Sequence, residues 1–359
     1  MRVIVVDPLS PFGHKDINKV LLDNISFENE VVYIASSSFA DFVPKHISFF
    51  PLKSSLFVIG TNSFLNRCRL FIALWQIWRI VRKIPYDVLI FMSYETITFS
   101  LVGRLFVSFG SRRRVYLMNH LNIDELEHSR LKRLAFKLIP SAISHLVYED
   151  FIKEYTVKTY KKKVITFHHN LNTYKQSYIC RDFKYKDFFR FADSGILIVS
   201  PSGNSLSIQS LNEMIELDKE GFLTKNKIYV FIKSRQVHYY SSNLIIENIY
   251  LSDGEYSFVL SAAKFILLPY DLSYTYRASG VYFDALTFCK PVVYSEALFF
   301  RDQKDRFGEI GIAIKESMKA TLKCLLNDEY QVYKNNINMA RHFYCDESFR
   351  MNLKKLIES

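Results

Sequence analysis

The sequence predicts an α/β protein built as two Rossmann-like, doubly wound domains that face one another across a cleft. Three observations predict it. Short, near-continuous apolar runs alternate with longer helix-like stretches, and such runs are strands buried on both faces of a parallel sheet. The intervals between runs are long enough for the crossover helices that parallel strands need. One polar and aromatic stretch, 170–193, splits the runs into two sets in a chain of 359 residues, a length suited to two domains of ordinary size.

In chain order, the first set falls at 3–6, 31–35, 88–91, 115–118, 146–148 and 164–167, and the second at 196–199, 228–232, 265–268, 291–294 and 312–314. This gives an N-terminal domain over 1–172 and a C-terminal domain over 173–340. The segment 341–359 follows as a helix with Phe349, Leu353 and Ile357 on one face, which packs back toward the N-terminal domain. No internal repeat is visible. In open α/β sheets ligands bind beyond the carboxyl ends of the strands, so the loops there are where chemistry is sought.

Composition narrows the classes. A hydrophobic content of 49% excludes a disordered chain. Five scattered cysteines with no CxxC spacing indicate neither a zinc site nor a disulfide framework, so cytosolic thiols are expected. The opening apolar run is only four residues long, at 3–6, too short for a secretory leader. A cytoplasmic protein, peripheral at most, is expected. The net charge of +11 is one-sided: residues 1–180 hold 24 Lys+Arg against 14 Asp+Glu, and residues 181–359 hold 23 against 22. Two stretches, 64–83 and 130–139, combine Leu, Ile and aromatic residues with arginine and lysine. Such helices lie on anionic leaflets, so a peripheral contact with the inner face of the cytoplasmic membrane is expected. No nucleic-acid module pattern is present, and no nucleic acid is expected as a partner.

The segment 267–296 carries the most chemistry. Leu267 and Leu268 end a strand, Pro269, Tyr270 and Asp271 open a loop, and Ser279-Gly280 precedes a helical pattern through Val281, Ala285, Leu286 and Phe288. Lys290-Pro291 stops that helix. A glycine at a helix N-terminus, with free N–H groups behind it, can cradle a pyrophosphate. Arg277 can offer phosphate two donors. An ordinary N-cap by Ser279 explains the same residues equally well.

Leu268-Pro269, Ser279-Gly280-Val281, Asp284-Ala285-Leu286 and Cys289-Lys290-Pro291-Val292-Val293 together resemble the donor-binding signature of the retaining GT-B glycosyltransferases (group 1, family 4-like) of bacterial surface-polysaccharide synthesis. The resemblance implies a hexosyltransferase that moves a sugar from a nucleoside diphosphate sugar to a hydroxyl of a glycan, lipid-linked, in O-antigen or capsule synthesis. It implies that Ser279, Gly280 and Val281 hold the diphosphate and that Asp284 accepts the ribose hydroxyls, with no metal and no cofactor. The sequence departs from the family twice. Tyr276 stands where the first of two glutamates is usual, and the Ser200-Pro201-Ser202-Gly203-Asn204 region lacks the usual basic residue. Lys233 or Arg235, after the next strand, then supplies the charge opposite the phosphates. These departures leave two rivals: a silent GT-B subunit that scaffolds a partner enzyme, and a nucleotide-sugar epimerase of the same fold.

Two further places bear on catalysis. Asn119-His120-Leu121-Asn122-Ile123-Asp124 follows the run at 115–118. A histidine there can bind a sugar hydroxyl or move a proton, and the family has one at the matching place, so His120 is the expected catalytic residue beside Arg277. Asn122 and Asp124 are expected acceptor contacts, with Asp124 alternatively the N-cap of a helix starting at Glu125. The turn after the first strand holds Gly13-His14, a thin version of the family's acceptor loop. His168-His169, at the end of the last N-domain run, point to opposite faces and are read as packing or hinge residues.

Overall fold

The computed structural model describes residues 1–8, 15–53, 63–107, 113–180, 182–203, 206–271, 273–314, 316–326 and 329–358. Two compact units emerge. The first comprises Met1–Asn170, Tyr276–Ala278 and Asp346–Ser359, and the second Leu171–Thr275 and Ser279–Cys345.

Among the described residues the first unit holds seven strands: β1 (Arg2–Asp7), β2 (Glu30–Ser36), β3 (Ser48–Leu52), β4 (Val88–Phe91), β5 (Arg114–Met118), β6 (Ser144–Val147) and β7 (Val164–Thr166). All pair in parallel, in the order β3-β2-β1-β4-β5-β6-β7. The middle positions of the central strands, 3–6, 88–91 and 115–118, are apolar and buried because helices cover both faces. One core layer packs Leu70, Leu74 and Ile77 of the helix Ser63–Val81 under Leu89 and Phe91. The other packs Leu21, Leu22 and Ile25 under Val3 and Val5, together with Phe349, Leu353 and Ile357 of the terminal helix Asp346–Glu358. The expected terminal helix and its apolar face are therefore present, and it returns to the first unit.

The second unit repeats the plan with β8 (Ile196–Ser200), β9 (Ile228–Lys233), β10 (Tyr239–Tyr240), β11 (Leu244–Glu247), β12 (Phe265–Leu268), β13 (Val292–Ser295) and β14 (Gly311–Ile314). The order is β10-β11-β9-β8-β12-β13-β14. Among the described strands only β10 runs antiparallel to its neighbour. Both sheets reverse direction of winding once, between β1 and β4 and between β8 and β12, and such reversals open the crevices where ligands sit.

Each predicted run overlaps a strand, with Tyr148, Phe167 and Pro291 falling just outside, and three strands escape the run pattern. β3 carries Pro51, tolerated because β3 is an edge. β10 is two residues long, and β11 is a four-residue LIIE run. The stretch 170–193 is not simply a linker. Its second half forms the helix Lys186–Ala192, and Phe183 and Phe189 pack against Phe231 and Phe258. Aromatic residues there fill a core, which their polar neighbours disguise.

Gly311 begins β14 with φ +154, and a Cβ built on it meets the Val292 carbonyl oxygen at 1.8 Å. Gly311→Ala forces the register of β13 and β14 apart. We expect it to cost about 2 kcal/mol or more and to lower the melting temperature by roughly 4–8 °C, read in a thermal melt.

Candidate functional site

In the second unit the loops after β8, β9 and β12 converge at the reversal point. Ser207 N–H donates to the Pro269 carbonyl at 2.7 Å, and Leu206 bridges Tyr270. These bonds pin the loop after β8 to the loop after β12. A Cβ on Gly203 would lie 3.3 Å from the Lys233 carbonyl oxygen and 3.6 Å from Arg235 N, so the loops after β8 and β9 also touch backbone to backbone. Tyr270 Oη and Ser279 Oγ are 2.8 Å apart, which carries the same connected patch to the start of the helix Gly280–Thr287.

That helix begins as its sequence dictates. Ser279 is extended, and its Oγ accepts from Tyr282 N–H at 3.1 Å, satisfying one of the amides that every helix start leaves without an intrahelical partner. Ser279 is buried, whereas Gly280 is exposed and a Cβ on it would meet nothing within 4 Å. The amides of Gly280 and Val281 belong to the positive end of the helix dipole. Lys233, at the carboxyl end of β9, is half-buried. Burial, and then the charge of Arg235, pull its ammonium below the ordinary lysine value. An anion beside it relieves both costs. Arg235 itself is exposed.

Asp284 is spent inside the same unit. Its Oδ1 takes Lys175 Nζ at 2.6 Å and its Oδ2 takes Tyr256 Oη at 2.6 Å, with the lysine also over the tyrosine ring. Gln176 adds a bond to the Thr287 carbonyl. The turn Thr173–Ser177 is thereby fastened to the helix. No part of the sequence motif signals that Lys175, so far upstream, answers Asp284.

In the first unit, Asp7 ends β1 at the reversal point, buried, with Asn18 Nδ2 at 2.6 Å and Ser93 Oγ hydrogen-bonded to it. In the sequence Asp7 is only the first residue of the turn that carries Gly13-His14. His120 follows β5. Its Nε2 lies 2.7 Å from the Met92 carbonyl oxygen, and its Nδ1 lies 3.0 Å from Tyr148 Oη. A carbonyl only accepts, so Nε2 carries the proton and Nδ1 accepts from the phenol. Burial pushes the Tyr148 phenol far up, which keeps it a donor. Both ring nitrogens are thus engaged, and any proton transfer by His120 first exchanges one of these bonds. His168 Nδ1 is 3.1 Å from the Tyr148 carbonyl oxygen, and His169 Nδ1 is 2.6 Å from the Asn170 carbonyl oxygen.

Asn122 is buried and donates to the Tyr94 carbonyl at 3.0 Å and to Thr96 Oγ1 at 3.3 Å. It braces the loop after β4. Asp124 is not the N-cap of a helix starting at Glu125. The helix runs Asn122–His128, so Asp124 sits in its first turn, where a carboxylate is favoured by the dipole. Its oxygens hold Tyr276 N–H at 2.9 Å and the Arg277 Nε at 3.1 Å. Tyr276 stacks on Tyr155, centroids 3.7 Å apart. Tyr276 is therefore a packing anchor. Gly13 and His14 lie outside the described residues.

No protein-family model matches the chain. No curated protein matches it in sequence. Solved structures match it over its whole length. The HepE protein of Anabaena in complex with UDP-glucose is 11% identical with a TM-score of 0.62, covering 100% of this chain and 99% of that one. The UDP-forming α,α-trehalose-phosphate synthase of Burkholderia xenovorans is 8% identical with a TM-score of 0.69, again covering 100% and 99%. A protein of Listeria monocytogenes assigned as a UDP-N-acetylglucosamine 2-epimerase is 12% identical with a TM-score of 0.63, covering 100% and 96%. At identities this low the likeness establishes the fold alone, and that fold is the GT-B plan of two Rossmann-like units.

Proposed function

We propose that the chain is a glycosyltransferase that grips the diphosphate of a nucleoside diphosphate sugar at the carboxyl edge of its second sheet. The observation that carries this reading is the open helix start at Gly280, joined through Ser279 and Tyr270 to the loops after β8 and β12. Anions bind where unpaired amides and the helix dipole point the same way. In this reading the Gly280 and Val281 amides bind phosphate oxygens, and Ser279 caps the helix that presents them. Lys233 and Arg235 supply charge to the leaving group. Arg277, which pairs with Asp124, keeps the donor role that the sequence motif implies as part of the same proposal. Electrostatic stabilisation of this kind lowers the barrier without a metal. Asp284 serves the donor site by holding the helix through Lys175 and Tyr256. His120, Gly13 and His14 serve the acceptor, a hydroxyl of a surface glycan, lipid-linked. Retention of configuration belongs to the same proposal.

Support for a nucleotide-sugar donor comes from the neighbours of the same fold that hold UDP-glucose or UDP. UDP-, GDP- and dTDP-sugars are therefore screened by thermal shift, and one nucleotide class is expected to raise the melting temperature. Lys233→Ala is expected to weaken that nucleotide about tenfold or more, measured by calorimetry. Unchanged affinity in the variant moves the diphosphate away from this edge, and stabilisation by none of the nucleotides removes the donor. The epimerase-like neighbour motivates a second reading. Conversion of the sugar nucleotide to an epimer with no acceptor present decides for it.

A further inference from the structure

The geometry points to a second ligand site in the second unit: a hollow at the β10 edge of its sheet that binds an uncharged saccharide. The hollow measures about 550 Å³ and is lined by Lys184 and Tyr185, by His238, Tyr239 and Tyr240, and by the end of β11. Small-molecule sites have about 300–1,000 Å³, so its size suits a short saccharide. None of these residues belongs to the diphosphate grip described above.

Strand register lays out one side of the hollow. Tyr240 lies opposite Ile245, and Ile245 lies beside Phe231 of β9. Residues side by side in a sheet turn to the same face, and Glu247, two positions beyond Ile245, turns there too. Tyr185 packs on this face, its ring 5.6 Å from that of Phe231. Phe183 and Phe189 continue the same aromatic core. Tyr185 is 7% exposed and Tyr240 is 73% exposed. One tyrosine is thus fixed in the core, and the other stands open on the same face where the cover ends.

The charges select the occupant. Lys184 Nζ meets the two Glu247 carboxylate oxygens at 3.1 and 3.5 Å and lies 4.9 Å from the centre of the Tyr185 ring. The pair is neutral as a whole, which disfavours a phosphate or a metal ion. An ammonium has more donors, and a carboxylate more acceptor sites, than one such pair uses. A sugar ring matches both features. Its C–H face stacks on the negative face of an aromatic ring, and its hydroxyls donate to the carboxylate and accept from the ammonium. A peptide strand is the rival occupant of a sheet edge. β10 is two residues long, and an edge strand that short blocks such pairing. The inference stands apart from the donor chemistry, because a free sugar without phosphate suffices to occupy the hollow.

The test is a titration of the full chain with methyl β-glucoside, methyl β-galactoside, cellobiose and chitobiose, read by saturation-transfer NMR. At least one is expected to bind in the millimolar range. Tyr240→Ala is expected to bind it at least about threefold more weakly, and Tyr240→Phe, which keeps the ring, is expected to bind as the parent does. Glu247→Gln is expected to lose roughly fivefold. Tyr240 is exposed and Glu247 half-buried, so melting temperatures are expected to hold. Phe191→Ser, an exposed change elsewhere in the same unit, is expected to leave binding unchanged, and excess UDP is expected not to displace the sugar. The proposal is overturned if none of the four sugars binds, if Tyr240→Ala and Glu247→Gln leave binding intact, or if UDP displaces the sugar, which would locate it with the donor. A nucleotide screen that finds no donor leaves these outcomes unchanged, so the two readings fail separately.

Discussion

Asp284→Ala is expected to destabilise the protein by about 3–5 kcal/mol, because it removes one partner of an ion pair that is largely out of water. Lys175 and Asp284 have side-chain exposures of 19% and 11%, and Tyr256 loses its acceptor at the same time. For a unit of this size the loss corresponds to roughly 6–20 °C in melting temperature. The double change Lys175→Met with Asp284→Leu is expected to recover much of it, since apolar replacement of a whole buried pair is frequently neutral. Thermal melts of the three proteins check the account. The result also separates two roles for Asp284. A carboxylate kept only for a ribose would cost donor affinity when removed and leave the melting temperature of the free protein unchanged.

Acid is expected to weaken the fold through His145. This residue lies wholly buried on β6, its ring 4.6 Å from that of Phe136 and its Nδ1 3.4 Å from Asn119 Nδ2. Burial first, and then the charge of Lys162, hold its imidazole down to about 3, against 6.5 for an exposed histidine. Below pH 6.5 the unfolded chain therefore takes up a proton that the folded chain refuses. Its contribution to stability is complete above that pH and falls as the pH drops toward 3. At 1.36 kcal/mol per unit the loss reaches about 3 kcal/mol by pH 4. Other groups also titrate over this range, so the measurement is the difference between the parent and His145→Gln in urea unfolding from pH 7 to pH 4. The gap between them is expected to narrow as pH falls. A gap that stays constant would mean that the ring accepts a proton in the folded state.

The two predictions concern residues that sequence reading treated in opposite ways. Asp284 was singled out by its place in a motif, yet its carboxylate answers Lys175 and Tyr256. His145 drew no attention, since a lone histidine just before a short apolar run offers no pattern. The same contrast holds for Arg277. Its proximity to Ser279 and Gly280 suggested phosphate, while its Nε meets Asp124, 153 residues earlier in the sequence. Local spacing encodes which residues share a turn or a helix face. It does not encode which distant element supplies the partner of a charge.

What the sequence by itself determined is the α/β class, the two sets of strands, the helix start at Gly280 and the apolar face of the last helix. Each follows from period and from turn chemistry, which act over a few residues. Only the tertiary structure decided where β3, β10 and β11 join the sheets, which carboxylates are consumed within a unit, and which tyrosines share a face at the edge of the second sheet. Those outcomes depend on long-range packing: a side chain's exposure and its electrostatic partner are properties of the surface laid against it, and a linear spacing does not contain that surface.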